Sequence, residues 1–210
     1  MLLSSVMALA ALASGQSDRS IVIDRIVERT RTTAETYFLV STNRITPNGV
    51  APITEWASEA NSGPLHRVET PRDRLVANCK TGWGAALRIQ TGEVSHGAWI
   101  AKAACGIDAN KELIEKRYLG RSKASPVLAD RLLLRDAKNV RTYDVASNGA
   151  IIGASIADAD GTRRLITRAL FLTKKLPYTD CFTQASLARS IVSEAAQRDA
   201  SKVENWATAD

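Results

Sequence analysis

The stretch that decides the fold is residues 65–104, which read LHRVETPRDRLVANCKTGWGAALRIQTGEVSHGAWIAKAA. It consists of short apolar runs separated by turn residues, which is the pattern of consecutive antiparallel strands. A second group with the same pattern follows Gly120. The predicted strands are Leu65–Glu69, Arg74–Lys80, Ala85–Gln90, Glu93–Ala104, Arg131–Arg135, Val140–Ala146, Ala150–Ala157 and Arg163–Thr173. The sequence therefore predicts a mostly antiparallel sheet, curved or rolled, of about six to eight strands.

Helices are predicted on both sides of this strand-rich stretch. Apolar residues recur at helical spacing over Ser20–Ser41, although the β-branched residues and threonines there also fit two strands. Short helices are expected at Pro52–Ala60 and Lys111–Tyr118. An amphipathic helix is expected at Gln184–Asn205, with its apolar stripe packed on the sheet. The predicted fold class is thus α+β, a sheet flanked by an N-terminal helical region and a C-terminal amphipathic helix.

The first 17 residues have the character of a secretory signal peptide. They are mostly apolar, and Ala11-Leu12-Ala13 supplies the small-x-small pattern that precedes a cleavage site. No Lys or Arg precedes the apolar run, so the alternative is a frayed apolar N-terminus or a helix packed on the core. The run is shorter than the roughly 20 residues that span a bilayer. The sequence therefore predicts a signal peptide at 1–17, a single domain at 18–210 without a transmembrane segment, and a periplasmic or secreted location.

Two cysteines are predicted to form a disulfide within the first group of strands. A three-residue loop at Gln90-Thr91-Gly92 would place Ile89 opposite Glu93, and this register puts Cys79 and Cys105 on one face. An oxidising compartment outside the cytoplasm favours a bridge between them. Cys181 is left over, either buried or available to one of the other two cysteines.

The arrangement of the basic residues argues against one class of partner. The chain has 28 Lys and Arg residues against 22 Asp and Glu, a formal net charge of +6. These basic residues are scattered and lack interleaved aromatic residues that could stack on bases. Specific binding of nucleic acid is therefore not predicted.

Motifs for chemistry are scarce. His66 and His96 are the only imidazole groups, neither lies in a recognisable catalytic motif, and no Cys-x-x-Cys pattern predicts a metal site. No cofactor is predicted. Core tryptophans are the simplest interpretation of Trp83, Trp99 and Trp56, with an apolar ligand pocket as the functional alternative.

The leading hypothesis from the sequence is an exported, non-catalytic protein that binds a small ligand or an envelope partner. One alternative is an envelope hydrolase that uses His66 or His96 as its base. The other is a structural subunit of an envelope assembly.

Overall fold

The computed structural model describes residues 20–45, 53–108, 112–122, 127–157 and 163–201, so the predicted signal peptide lies outside the described residues. Within them the chain forms eleven strands and three helices. The strands are β1 (Thr33–Ile45), β2 (Ile53–Gly63), β3 (Leu65–Glu69), β4 (Asp73–Asn78), β5 (Trp83–Arg88), β6 (Val94–Gly97), β7 (Glu115–Ser122), β8 (Ala129–Arg135), β9 (Val140–Ala146), β10 (Ile151–Ala157) and β11 (Arg163–Thr173). The helices are α1 (20–31), α2 (Ala98–Ala104) and α3 (Glu194–Ser201), and a 3₁₀ turn covers Ala185–Ala188.

All described strands belong to one antiparallel sheet, with the order β6-β5-β4-β3-β2-β1-β11-β10-β9-β8-β7. The pairing of β1 with β11 joins two meanders side by side, and β6 and β7 form the edges. The predicted antiparallel sheet is confirmed, but it has more strands than predicted.

The N-terminal region accounts for part of this difference. The predicted helix at Ser20–Ser41 is correct only to residue 31, because β1 begins at Thr33. The predicted helix at Pro52–Ala60 is wrong, since Ile53–Gly63 forms β2. Both stretches pair along ten residue positions in the middle of the sheet, and this pairing overrides the local helix preference of Glu and Ala.

Three other predictions are also corrected. The predicted strand Glu93–Ala104 ends at Gly97, and the alanine-rich residues after it form α2. The predicted helix Lys111–Tyr118 is wrong for its described part, because β7 begins at Glu115 and runs along a sheet edge. In its described part, residues 184–201, the predicted helix Gln184–Asn205 is replaced by the 3₁₀ turn and α3, with a non-helical stretch between them.

The two faces of the sheet are covered by different parts of the chain. Directly opposed residues of neighbouring strands share a face. One face, here called the helix face, carries the row Leu39, Glu59, Val68, Leu75 and Ala86 and is covered by α1 and α2. The other, the C-terminal face, carries the row Phe38, Ala60, Arg67, Val76 and Ala85 and is covered by residues 174–201, here called the C-terminal segment.

Helix α1 approaches the neighbouring loops so closely that they require glycine. Gly149 has a φ of 89°, and a Cβ there would lie 2.2 Å from the Arg29 carbonyl oxygen. Gly106 has a φ of 62°, and a Cβ there would lie 2.4 Å from the Thr30 carbonyl oxygen. Both turns therefore touch the C-terminal end of α1, where Thr30 Oγ1 also accepts a hydrogen bond from the Ile107 backbone N–H at 3.0 Å.

The predicted disulfide is present, although the register used to predict it is shifted. Cys79 and Cys105 are bonded with a Cα–Cα distance of 5.6 Å. The strands β5 and β6 pair Leu87 with Val94, so Ile89 is not opposite Glu93 and the loop is one residue longer than expected. The bridge forms because α2 folds back over β4 and brings Cys105 against Ala77 and Cys79.

Candidate functional site

A buried ion pair attaches the C-terminal segment to the sheet. Arg67 and Glu69 in β3 are both 0% exposed, and Arg67 Nη2 donates to Glu69 Oε1 at 2.5 Å. The same guanidinium donates to the carbonyl oxygens of Cys181, Ser186 and Arg189 at 3.0, 3.0 and 2.6 Å. Since a buried charge is tolerated only when it is paired and hydrogen-bonded, these contacts hold the segment in place.

Glu69 and Arg74 extend this anchor towards the end of the segment. Glu69 Oε2 accepts hydrogen bonds from Ser190 Oγ at 2.8 Å and from the Ile191 backbone N–H at 3.1 Å. Arg74 Nη1 donates to the Leu187 carbonyl oxygen at 2.9 Å. The segment is therefore fixed over β3 and β4 by polar contacts.

An apolar cleft opens where the same segment passes over β1 and β11. Its volume is about 640 Å³, which is within the range of small-molecule sites. Nine of its twelve lining residues are apolar. They are Phe38 and Val40 from β1, Leu170 and Phe171 from β11, and Leu176, Pro177, Ile191, Val192 and Ala196 from the C-terminal segment.

The cleft has a buried floor and an open aromatic wall. Val40, Ile191 and Val192 are buried, whereas Phe171 is 53% exposed and Leu170 is 42% exposed. The rings of Phe38 and Phe171 meet edge to face with centroids 6.3 Å apart. Exposed apolar side chains beside a concave buried surface are typical of a binding site for apolar ligands.

A second cavity lies on the helix face and is smaller and more polar. Its volume is about 300 Å³, and its lining includes Ser41, Asn43, Glu59 and Thr167 beside Leu39 and Ala104. The hydrophobic area there is divided by these polar groups. An apolar ligand therefore has more to gain in the cleft on the C-terminal face.

His66 belongs to a sealed polar cluster on the helix face. It is 0% exposed, its Nδ1 lies 3.3 Å from Glu59 Oε1, and its Nε2 contacts Asn61 and the Arg31 carbonyl oxygen. Tyr37 donates to the same Glu59 oxygen at 2.5 Å, and burial together with this carboxylate raises the pKa of Tyr37. This arrangement ties the end of α1 to the sheet and leaves no path for a substrate to the imidazole.

His96 is exposed and has a different neighbour. Its Nε2 lies 2.9 Å from Gln184 Oε1. Among the described residues, no hydroxyl or thiol lies within hydrogen-bond distance of either histidine. A side-chain nucleophile activated by an adjacent histidine is therefore not assembled in this part of the chain.

The three tryptophans considered as ligand-binding candidates lie in two different environments. Trp83 and Trp99 are 57% and 59% exposed, at the start of β5 and in α2. Trp56 is 7% exposed and packs with Val40 and Cys181 on the C-terminal face. None of the three lines the apolar cleft, so the predicted ligand pocket made of tryptophans is not found at that site.

The remaining candidate groups are a thiol and the carboxylates. Cys181 is a free cysteine with no exposed surface, and burial raises the pKa of its thiol. In the described ranges, no three His, Cys, Asp or Glu side chains are grouped so that they could hold a metal ion. None of the helices in these ranges is long and apolar enough to cross a membrane.

The protein is thus an open antiparallel sheet with α1 and α2 on one face and an apolar cleft on the other. Among solved structures, the chain is similar to MucB, with 16% identity and a TM-score of 0.48 over 81% of this chain and 64% of that chain. It is also similar to MucB in complex with MucA(peri), with 14% identity and a TM-score of 0.42 over 83% of this chain and 58% of that chain. A third similar structure is a LolA superfamily protein from Nitrosomonas europaea, with 9% identity and a TM-score of 0.39 over 79% of this chain and 99% of that chain. No protein-family model and no curated protein matches the sequence.

Proposed function

We propose that this chain is an exported binding protein that holds an apolar ligand in the cleft between β1, β11 and the C-terminal segment. The observation that carries the proposal is the volume of about 640 Å³ lined mainly by apolar side chains, with Phe171 half exposed at its wall. Water at this surface would be released on binding. Each square ångström of apolar surface covered contributes about 25 cal/mol.

The attachment of the C-terminal segment supports the same proposal. The polar anchor at Arg67 and Glu69 fixes one part of the segment, so the cleft is preformed where the segment continues over β1 and β11. A preformed site avoids the free-energy cost of ordering the chain when the ligand binds. The disulfide between Cys79 and Cys105 suits a location outside the cytoplasm.

The proposal is tested with N-phenyl-1-naphthylamine, a neutral probe whose fluorescence rises in apolar surroundings. We expect saturable binding at one site. Ala196→Trp, which fills the cleft, is expected to weaken the affinity at least tenfold, and Phe171→Ser about fivefold, because about 1 kcal/mol of apolar contact is lost. The matched controls are Ala98→Trp and Trp83→Ser, which change an exposed alanine and an exposed aromatic residue away from the cleft.

The control Trp83→Ser, together with Trp99→Ser, also tests the alternative that the ligand binds at the exposed tryptophans. Binding that is lost in Trp83→Ser or Trp99→Ser and retained in Ala196→Trp would move the ligand site to the exposed indoles and contradict the cleft. Absence of saturable binding would contradict the proposed function.

A further inference from the structure

The polar groups that line the cleft are few, and one of them is a cation. They are Thr173, Lys175 and Ser193. The Thr173 hydroxyl accepts a hydrogen bond from the Lys175 backbone N–H at 3.2 Å, and the Ser193 hydroxyl accepts one from the Ala196 backbone N–H at 3.3 Å. Both hydroxyls keep an O–H donor of their own, but of these three groups the Lys175 ammonium is the one that carries a positive charge.

Lys175 differs from its neighbour in its ionic partner. Lys174 Nζ lies 2.8 Å from Glu35 Oε2. Among the described residues, no carboxylate lies within ion-pair distance of Lys175. In the C-terminal segment, the carboxylate of Asp180 pairs with Arg189. The positive charge at this end of the cleft is thus not paired with any carboxylate in the described part of the chain.

We infer that the ligand of the cleft is a single-chain anionic amphiphile, with its apolar chain against Phe171 and Val192 and its anionic group at Lys175. This inference rests on the proposed function. A lysine can lay its aliphatic stem along an apolar wall while the ammonium group stays at the surface. A neutral alcohol can also accept a hydrogen bond from this ammonium, but an anionic group adds the Coulomb attraction of an ion pair while its chain is buried to the same extent.

A rival location for the anionic group lies at the other end of the cleft. Arg168 is directly opposite Thr42, two residues along β1 from Val40 on the same face, and it is exposed. It does not line the cleft, whereas Lys175 does. The assignment to Lys175 therefore predicts different results for substitutions at the two positions.

The test measures displacement of the neutral probe at pH 7.5 by laurate and by dodecanol, both below their aggregation concentrations. We expect laurate to displace the probe at a concentration at least fivefold lower than dodecanol, with a preference that falls as salt is added. Lys175→Gln should abolish the preference, which is a ratio of two displacement concentrations and therefore does not depend on the affinity for the probe. Lys174→Gln and Arg168→Gln should retain it.

Equal displacement by the two compounds would overturn the inference about the anionic group while leaving the apolar cleft intact. Loss of the preference in Arg168→Gln instead of Lys175→Gln would overturn its location. Sedimentation of the protein with anionic phospholipid vesicles, without any displacement by laurate, would show a membrane surface as the occupant and also contradict the inference. Failure of the neutral probe to bind would concern the proposed function and not Lys175.

Discussion

The helix face and the C-terminal face of the sheet are covered by different kinds of contact. On the helix face, α1 and α2 pack through apolar clusters, a disulfide and glycines that allow close backbone approach. On the C-terminal face, a buried ion pair holds one part of the C-terminal segment, and the cleft opens beside the other part. The comparison teaches that the polar anchor fixes the segment locally without closing the apolar surface next to it.

The largest effect is expected from breaking the anchor. Arg67→Met leaves Glu69 buried without its main partner, and we expect a loss of about 3 to 5 kcal/mol in the free energy of unfolding, measured with urea. Arg72→Met is the matched control, because Arg72 pairs with Glu55 at 2.7 Å but is mostly exposed. It should cost less than about 1 kcal/mol. Equal costs for the two variants would contradict the role of the anchor.

The disulfide tests how α2 is held on the helix face. Replacing Cys79 and Cys105 by alanine removes a crosslink between residues 26 positions apart, and we expect a loss of about 3 kcal/mol. Urea unfolding of the variant and of the parent protein measures this loss. A stability equal to that of the oxidised parent would show that apolar packing alone holds α2.

The close approach between α1 and the turn at Gly149 can be tested by adding one methyl group at that glycine. Gly149→Ala combines a positive φ with a clash against the Arg29 carbonyl oxygen, and we expect a loss of about 2 to 3 kcal/mol. The control is Gly120→Ala, whose φ is 96° but whose Cβ would meet nothing within 4 Å. It should cost about 1 kcal/mol. Thermal unfolding measures both losses of stability, and a larger loss for Gly120→Ala than for Gly149→Ala would contradict the close approach of α1.

The smallest effect is expected at Cys181, under the anchored part of the segment. Because its thiol pKa is raised by burial, the folded state keeps this proton when the unfolded chain, with a pKa of about 8.5, loses it. The stability from this group is complete below that pH and is lost as the pH rises towards the folded pKa. Urea unfolding between pH 7 and 10 should show a smaller decrease for Cys181→Ala than for the parent protein, and identical decreases would contradict a buried neutral thiol.

The turn chemistry of the sequence was sufficient to predict much of the sheet. Strands β3, β9 and β11 match the predicted ranges because glycine or other turn residues delimit each of them. The predictions failed where pairing partners are distant in sequence. The residues of β2 favour a helix locally, and only β1 and β3 on either side explain why they are extended.

The candidate site was not predictable from the sequence for a similar reason. The cleft combines Phe38 and Phe171, which are separated by more than half of the chain. The predicted helix Gln184–Asn205 was expected to pack on the sheet. Ile191 and Val192 do pack there, although they lie in bends between the 3₁₀ turn and α3. Both residues line the cleft, so part of its floor is formed by residues for which a helix was predicted.

The most direct test of the account is a map of where a neutral apolar ligand binds. Backbone amide resonances of the isotope-labelled protein would be followed by NMR during titration with N-phenyl-1-naphthylamine. The account predicts shifts that cluster in β1, β11 and residues 175–196, with α1 and α2 unchanged. Shifts that cluster instead around the helix-face cavity, at Ala103, Ala104 and Tyr143, would contradict it.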